Sequence, residues 1–466
     1  MTETGPPDAA KGRAGRARGA DDAADHAGGR RRVATGRRRA AGEGRRAGRV
    51  DETFGADQRP APPVGLYVHI PFCVSLCPYC DFVVIAGAAA RGPSNRLAAF
   101  AAALEREIGL RADALDARFG PPGRAGRPAL DSVYLGGGTP SLLPSAKLAR
   151  LLDLISHRFG INAGAEITIE ANPGPDERGD ARALVRMGVT RISFGAQSFN
   201  PIELRRLGRR HRPAHVADAV DIARAAGIGS INLDLLYDVP DSSLVSWMET
   251  LDAALAMESD HLSLYALTLD DPDAEGLTGP DGDHLPTRKG ARRWRDLAIP
   301  QQDEDRAAAQ YHHAVHRLAA DGWRGYEISN WARPGHEGRH NMAYWERLPY
   351  EAVGPGAHAF DGVTRRWTVA RLDRYLAALT PGPGRESSLP PGGSETLDAA
   401  TAAAEAVILG LRTDRGVPRV AAERPPLADE FGWALLAELV TINDDDRIVL
   451  TTRGRLLSNE LFVRLV

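Results

Sequence analysis

Cysteine is nearly absent from this sequence: 466 residues contain three. A disulfide framework is thereby excluded, because pairing two would strand the third. Long apolar runs are missing too, and no stretch reaches the roughly 18 consecutive apolar residues of a membrane helix. Neither sign of charge dominates. The formal net charge of −3 gives the chain no general attraction to nucleic acid or lipid. The first 60 residues lack an apolar h-region and hold one aromatic, Phe54, which excludes a secretory signal and a packed core there.

That opening segment is rich in Ala, Gly and Arg. It carries 14 Lys and Arg against 9 Asp and Glu, a net of +5 that leaves −8 on the rest. Residues 1–63 are expected to form a disordered basic leader whose Arg runs could touch an anionic surface, such as a membrane periphery. Without an export signal the expected location is the cytoplasm. In a reducing compartment, clustered cysteines hold metal or do redox work more often than they pair.

A strand–helix rhythm begins near Val64. Apolar, β-branched runs read as strands at 65–70, 132–137, 166–171, 190–196, 231–237 and 261–269. Helical periodicity separates them over 96–115, 145–159, 176–187, 214–226 and 244–256. The strands read as apolar nearly throughout, as in sheets covered on both faces. Polar, Gly-rich motifs end nearly every strand, which favours a partial (β/α)6-type barrel over an open doubly wound sheet. Residues 271–302 read as a loop excursion and 380–394 as a linker. The expected organisation is an α/β barrel with its extension over 64–379 and a small C-terminal helical, winged-helix-like domain over 395–466.

All three cysteines, Cys73, Cys77 and Cys80, lie in "YVHIPFCVSLCPYCDFVV", directly after the first strand. In a barrel this loop faces the active-site end. Three thiolates on a short loop suit an iron–sulfur centre. Zinc is the alternative that spacing leaves open, with His69 as a fourth ligand.

The C-x3-C-x-aromatic-C spacing, with Tyr79 before Cys80, resembles the signature of the radical S-adenosylmethionine (SAM) superfamily. The resemblance implies a [4Fe–4S] cluster on three thiolates, its fourth iron open to the amino and carboxylate groups of SAM. "YLGGGTPS" then implies SAM contacts at Gly137, Gly138 and Thr139, with glycine N–H groups as donors. By itself this run is also a tight βα turn. "TIEANP" presents Glu170, which alone would read as a surface carboxylate. Gln197 and Asp234 end the next two strands.

Taken in order, "YVHIPFC", "YLGGGTPS", "IEANP", "RISFGAQSF", "LGRRH", "DLLY", "YEISN" and "RHNMAYW" resemble the oxygen-independent coproporphyrinogen III dehydrogenases and their relatives, the HemW heme chaperones. The resemblance covers the chain from about Val64 to its end. It implies SAM contacts at Tyr67, Gly137, Gly138, Thr139, Glu170, Gln197, Arg209 and Asp234. Two local signs point to the chaperone branch. Phe82 stands where the dehydrogenases carry a further cysteine, and H-N-x-x-Y-W is present from His340 to Trp345. The resemblance associates that motif with heme, making His340 the candidate ligand, with His358 as a second candidate contact.

The implied function is binding of heme and its transfer to acceptor hemoproteins, respiratory ones among the candidates. The alternative is oxidative decarboxylation of coproporphyrinogen III. Asp238 departs from the family's glycine and puts the turn after the fifth strand in question.

Overall fold

The computed structural model describes residues 59–86, 96–269, 273, 276–382, 384 and 386–466. Nearly all of the expected leader lies outside them. Six strands carry the frame: β1 (Gly65–Ile70), β2 (Leu130–Gly137), β3 (Ile161–Ala171), β4 (Arg191–Gln197), β5 (Ser230–Tyr237) and β6 (His261–Ala266). Helices α1 (Arg96–Phe119), α2 (Ser145–Phe159), α3 (Ala181–Arg186), α4 (Pro201–Arg206), α5 (Pro213–Ala226) and α6 (Leu244–Leu255) connect them. Each neighbouring pair from β1 to β6 is parallel, as helical crossovers require.

The strand order has two ends, so the barrel is partial. Antiparallel β7 (Asn330–Ala332) extends the β6 edge. On the other side β8 (Tyr350–Val353) pairs with β1 in parallel. Antiparallel β9 (His358–Phe360), β10 (Thr364–Thr368) and β11 (Gly392–Thr396) follow. The expected linker therefore ends inside the sheet. The 271–302 excursion likewise contains a helix, α7 (Lys289–Ala298), followed by α8 (Glu304–Ala320) and α9 (Arg339–Trp345).

The two faces of the strands differ more than their composition suggests. Leu66, Val68, Ile70, Val133, Leu135, Ile169, Ile192, Phe194, Ile231 and Leu233 point outward and are buried in one core with the helices. The alternate residues point into the barrel: Tyr67, His69, Ser132, Tyr134, Thr168, Glu170, Arg191, Ser193, Asn232, Asp234, His261 and Ser263. The lumen is thus polar, and the expectation of strands apolar on both faces is corrected. Ser193, Asn232, Asp234, His261 and Ser263 hydrogen-bond to one another across the barrel, which offsets the cost of burying them.

Asp238 resolves the doubt over its turn. It adopts φ +55°, the left-handed region that glycine would favour. Arg306 grips its carboxylate through Nε at 3.0 Å, and its N–H donates to Gln310 Oε1 at 2.8 Å.

The C-terminal residues form helices around a three-stranded antiparallel sheet with its own core of Val407, Leu411, Val417, Ile448, Leu450 and Leu461. The region is therefore mixed, not purely helical. Arg455 joins it to the barrel by donating to the carbonyls of Glu327 and Gly325 at 3.4 and 3.3 Å.

Gly354, just past β8, has φ +105°, and an added Cβ would lie 2.4 Å from the His69 carbonyl oxygen. Gly354→Ala combines a disfavoured backbone with overpacking and is expected to cost about 2–4 kcal/mol, read by urea denaturation. An unchanged midpoint would show that this close approach is not required.

Candidate active site

The cysteine loop crosses the carboxyl end of β1, where Cys73, Cys77 and Cys80 are free thiols, each partly buried. Burial pushes the Cys73 thiol up to about 11 and Cys80 higher still. A metal centre held here would displace the protons of Cys73 and Cys80 as it binds. Two donors already face the sulfurs. Thr139 Oγ1 donates to Cys73 Sγ at 3.6 Å and Arg209 Nη1 to Cys77 Sγ at 3.4 Å. Asn172 ties these two together. It donates to Thr139 Oγ1 at 3.1 Å and accepts from Arg209 at 2.6 Å. Asn172 was not among the residues singled out from the sequence, although it stands in the "IEANP" motif; a single amide carries no signal until its partners are placed.

Among the described residues, no three or more His, Cys, Asp or Glu side chains, the three thiols included, are drawn together as a metal site. His69 does not serve as a fourth ligand. Its Nε2 donates to the Val83 carbonyl at 2.8 Å and its Nδ1 accepts from the Tyr67 hydroxyl at 3.0 Å. Burial holds it neutral, lowering it to about 4. Three soft thiol donors on one short loop suit a [4Fe–4S] cluster, and with both His69 nitrogens engaged elsewhere they fall short of the four ligands of structural zinc.

The glycine segment differs from expectation in its chemistry. Gly137 N–H donates to Glu170 Oε2 at 2.9 Å. Gly138 and Thr139 N–H donate to the Ile70 and Phe72 carbonyls at 2.9 and 2.8 Å. These groups bind the fold itself and are not left for a ligand. The glycines are required by space: a Cβ on Gly137 would meet the His69 ring at 2.4 Å, and one on Gly138 would meet the Phe72 carbonyl at 2.8 Å.

Glu170 sits at the end of β3 and also accepts from the Tyr134 hydroxyl at 2.8 Å. Burial raises its carboxyl to about 7, with the Tyr134 and Gly137 donors opposing and Asp234 adding to the rise. Asp234 lies within the lumen, accepting from Ser193 and Asn232 at 2.9 and 2.8 Å, and burial raises it as well. Gln197 has φ +67° at a β-bulge in β4. Strain of this kind, at the mouth of a barrel, is characteristic of functional positions. Tyr67, Glu170, Arg209 and the Gly137–Thr139 segment thus gather around the cysteine loop, while Asp234 lies below them, beside an enclosed polar cavity of about 20 Å³. That volume is enough for a water molecule.

His340 is elsewhere. It contacts Ser132, five residues before Gly137, which puts it roughly 16 Å below the rim along β2. The ring is 1% exposed. Its Nδ1 is 2.8 Å from Ser132 Oγ and its Nε2 2.7 Å from Tyr344 Oη. Both nitrogens are engaged, so the imidazole presents none to an iron in this structure. His358 is more open. It pairs through Nε2 with Asp283 at 2.9 Å and stacks on Trp367 at 6.2 Å. Phe82, beside Cys80, is 64% exposed.

A partial parallel barrel carrying a three-cysteine loop at the carboxyl end of its first strand defines the radical SAM class, and the Radical SAM superfamily model matches residues 67–251. The heme chaperone HemW of Mycobacterium tuberculosis is 38% identical over 408 residues, 87% of this chain and 95% of its own. HemW of Bacillus subtilis is 30% identical over 409 residues, 85% and 97% of the two chains. The chain belongs to the HemW heme chaperone family. Among solved structures, Escherichia coli coproporphyrinogen III oxidase (HemN) shares the fold, with TM-score 0.69 and 24% identity over 88% of this chain and 92% of its own.

Buried neutral histidines give the site a defined acid response. Burial lowers His340 and His211 to about 3 and His69 to about 4. The unfolded chain takes up these protons below about 6.5 and the folded chain does not, so stability falls as pH drops from there toward 4. Glu170, raised in the fold, works in the opposite sense. Replacing His340 by Gln is expected to remove roughly 2 kcal/mol of the loss at pH 5. Denaturation curves at pH 7 and 5 check this; equal slopes for both proteins would refute it.

Proposed function

We propose that the protein is a heme chaperone that holds a [4Fe–4S] cluster and SAM and passes heme to acceptor hemoproteins. The observation that carries this reading is the near full-length likeness to proteins named heme chaperone HemW, combined with three free thiols on one short loop after the first strand. Cys73, Cys77 and Cys80 would hold the cluster. Tyr67, the Gly137–Thr139 segment, Glu170, Gln197, Arg209 and Asp234 would line the SAM side, with Asp234 supporting from below. A cluster there supplies a one-electron centre and an open iron for the amino and carboxylate groups of SAM.

The protein's own contribution is placement. Arg209 keeps a positive charge on Cys77, Thr139 donates toward Cys73, and Glu170 offers an acceptor at the rim. His340, enclosed and doubly bonded, is not carried into this reading as the iron ligand. His358 presents the more open imidazole. The cytoplasm is the compartment this reading implies. Among the described residues no helix is long and apolar enough to cross a membrane.

Anaerobic reconstitution tests the cluster assignment. Wild type is expected to bind iron and sulfide with the absorption of an iron–sulfur centre, and Cys77→Ala to lose it. Hemin titration followed by mixing with an apo-hemoprotein tests the cargo. Heme appearing in the acceptor supports the reading. Conversion of coproporphyrinogen III with SAM cleavage, without heme transfer, would replace it with the dehydrogenase reaction.

A further inference from the structure

The H-N-x-x-Y-W motif is left without a role once His340 is excluded as an open ligand, yet its surroundings are highly ordered. Five ring contacts run in sequence from β8 through α9 to the end of β1, next to the cysteine loop. Tyr350 meets Tyr344 at 4.5 Å, and Tyr344 meets His340 edge-on at 4.9 Å. His340 stacks on Tyr134 at 5.3 Å and 29°. Tyr134 stacks on Tyr67 at 6.0 Å, and Tyr67 meets His69 at 5.9 Å. Tyr134 is the pivot. One face rests on His340, and its hydroxyl donates to Glu170 at 2.8 Å. Glu170 in turn accepts from Gly137 N–H at 2.9 Å.

The floor of this stack has no slack. A Cβ on Gly65 would come within 2.7 Å of Ser132 Oγ and 3.1 Å of His340 Nδ1. Two hydrogen bonds fix the ring of His340 in its plane, one to Ser132 and one to Tyr344. The backbone N–H of His340 and that of Arg339 donate to Glu166, at 3.2 and 3.1 Å, which anchors the start of α9 to β3. Glu166 and Glu170 belong to the same strand, on its luminal face. The motif therefore holds β2 and β3 together directly beneath the carboxylate at the rim.

We propose that His340 is a positioning residue for the SAM site: it is the platform on which Tyr134 stands to aim the Glu170 carboxylate at the ligand's ammonium group. This deepens the proposed function and rests on its assignment of Glu170 as a SAM contact. The stacking needs an aromatic ring at position 340. The two edge hydrogen bonds need one whose opposite nitrogens meet Ser132 and Tyr344, and histidine alone supplies both. Loss of the platform frees Tyr134 to tilt and deprives Glu170 of a donor that favours its charged form. The groups facing Glu170 are Tyr67, Tyr134 and Tyr344, with Asp234 as the nearby acid. None is a cation, so the Tyr134 hydroxyl and Gly137 N–H are the donors that keep the carboxylate charged.

The test compares wild type, His340→Ala, His340→Phe, Tyr134→Phe and Glu170→Gln as cluster-loaded full-length proteins, with SAM affinity measured across pH 6–9 and hemin affinity measured separately. A hydrogen bond to a charged group lost at Glu170 is expected to weaken SAM binding about tenfold or more in Tyr134→Phe. His340→Ala should weaken it to a similar degree, and His340→Ala combined with Tyr134→Phe in one protein should be no worse than either single variant. Tyr134→Phe should also move the pH midpoint of SAM binding upward, a displacement that general loosening of the fold would not produce. His340→Phe keeps the stack without the edge bonds and should recover part of the affinity, which also serves if the alanine variant folds poorly. Hemin affinity should be the same in wild type and His340→Ala.

Unaltered SAM affinity in His340→Ala, with Glu170→Gln impaired, would overturn the inference. Unaltered SAM affinity in Glu170→Gln would instead overturn the assignment of Glu170 beneath it. Loss of the Soret band in His340→Ala with SAM binding intact would make His340 an iron ligand and overturn its positioning role.

Discussion

The in-register parallel pairing of β1 with β2 is the constraint on which the site depends. Gly65 lies opposite Ser132, Tyr67 opposite Tyr134, and Ile70 opposite Gly137. A shift of one residue would turn every luminal side chain of one strand into the helix layer. With the register as it is, the cysteine loop leaves β1 beside the glycine segment leaving β2. Tyr67 and Tyr134 form one stack, and the gap opposite Gly65 admits His340. Cluster loop, rim carboxylate and barrel floor are consequences of one ladder.

Polarity inside the barrel is the second organising fact. The outward residues of each strand are aliphatic and pack on helices, while the inward residues bond to each other: Ser193 and Asn232 to Asp234, His261 to Asn232 and Tyr326. A buried network of this kind is stable only if its members are paired, so it enforces a particular arrangement and resists repacking. Its rigidity suits a site that must aim a carboxylate and a guanidinium at a cofactor. Charge follows the same division. Arg209 stands with the thiols at the mouth, whereas burial raises the acids Glu170 and Asp234 and their hydrogen-bond donors oppose that rise.

Much of this was legible in the residues. Strand and helix periods located the frame, because a run such as "SVYLGG" can neither continue as a helix nor stay in solvent. The C-x3-C-x2-C spacing marked the metal loop, since three thiolates that close in sequence are close in space. Other features were not legible. The outward Ile and Leu of "EITIEA" mask the luminal Thr168 and Glu170 when the run is scored as a whole. The strand β11 hides in a Gly- and Ser-rich stretch whose composition reads as linker, because its pairing partner supplies the order. Asn172 gained meaning only from Thr139 and Arg209, 33 residues before and 37 after it. The glycine N–H groups read as ligand donors because their true acceptors, Ile70, Phe72 and Glu170, come from other strands.

By itself the sequence determined the class of chemistry. Three cysteines at short spacing admit few inorganic centres, and the order of the strand-end motifs belongs to one family. Tertiary structure decided the roles. Whether a histidine ligates, orients or braces depends on what occupies its two nitrogens, and in each case here one of the two partners comes from another segment of the chain. His69 is filled by Tyr67 and Val83, and His340 by Ser132 and Tyr344. An imidazole has only two such positions, so once the fold has claimed both, what remains for it is to hold its neighbours in place.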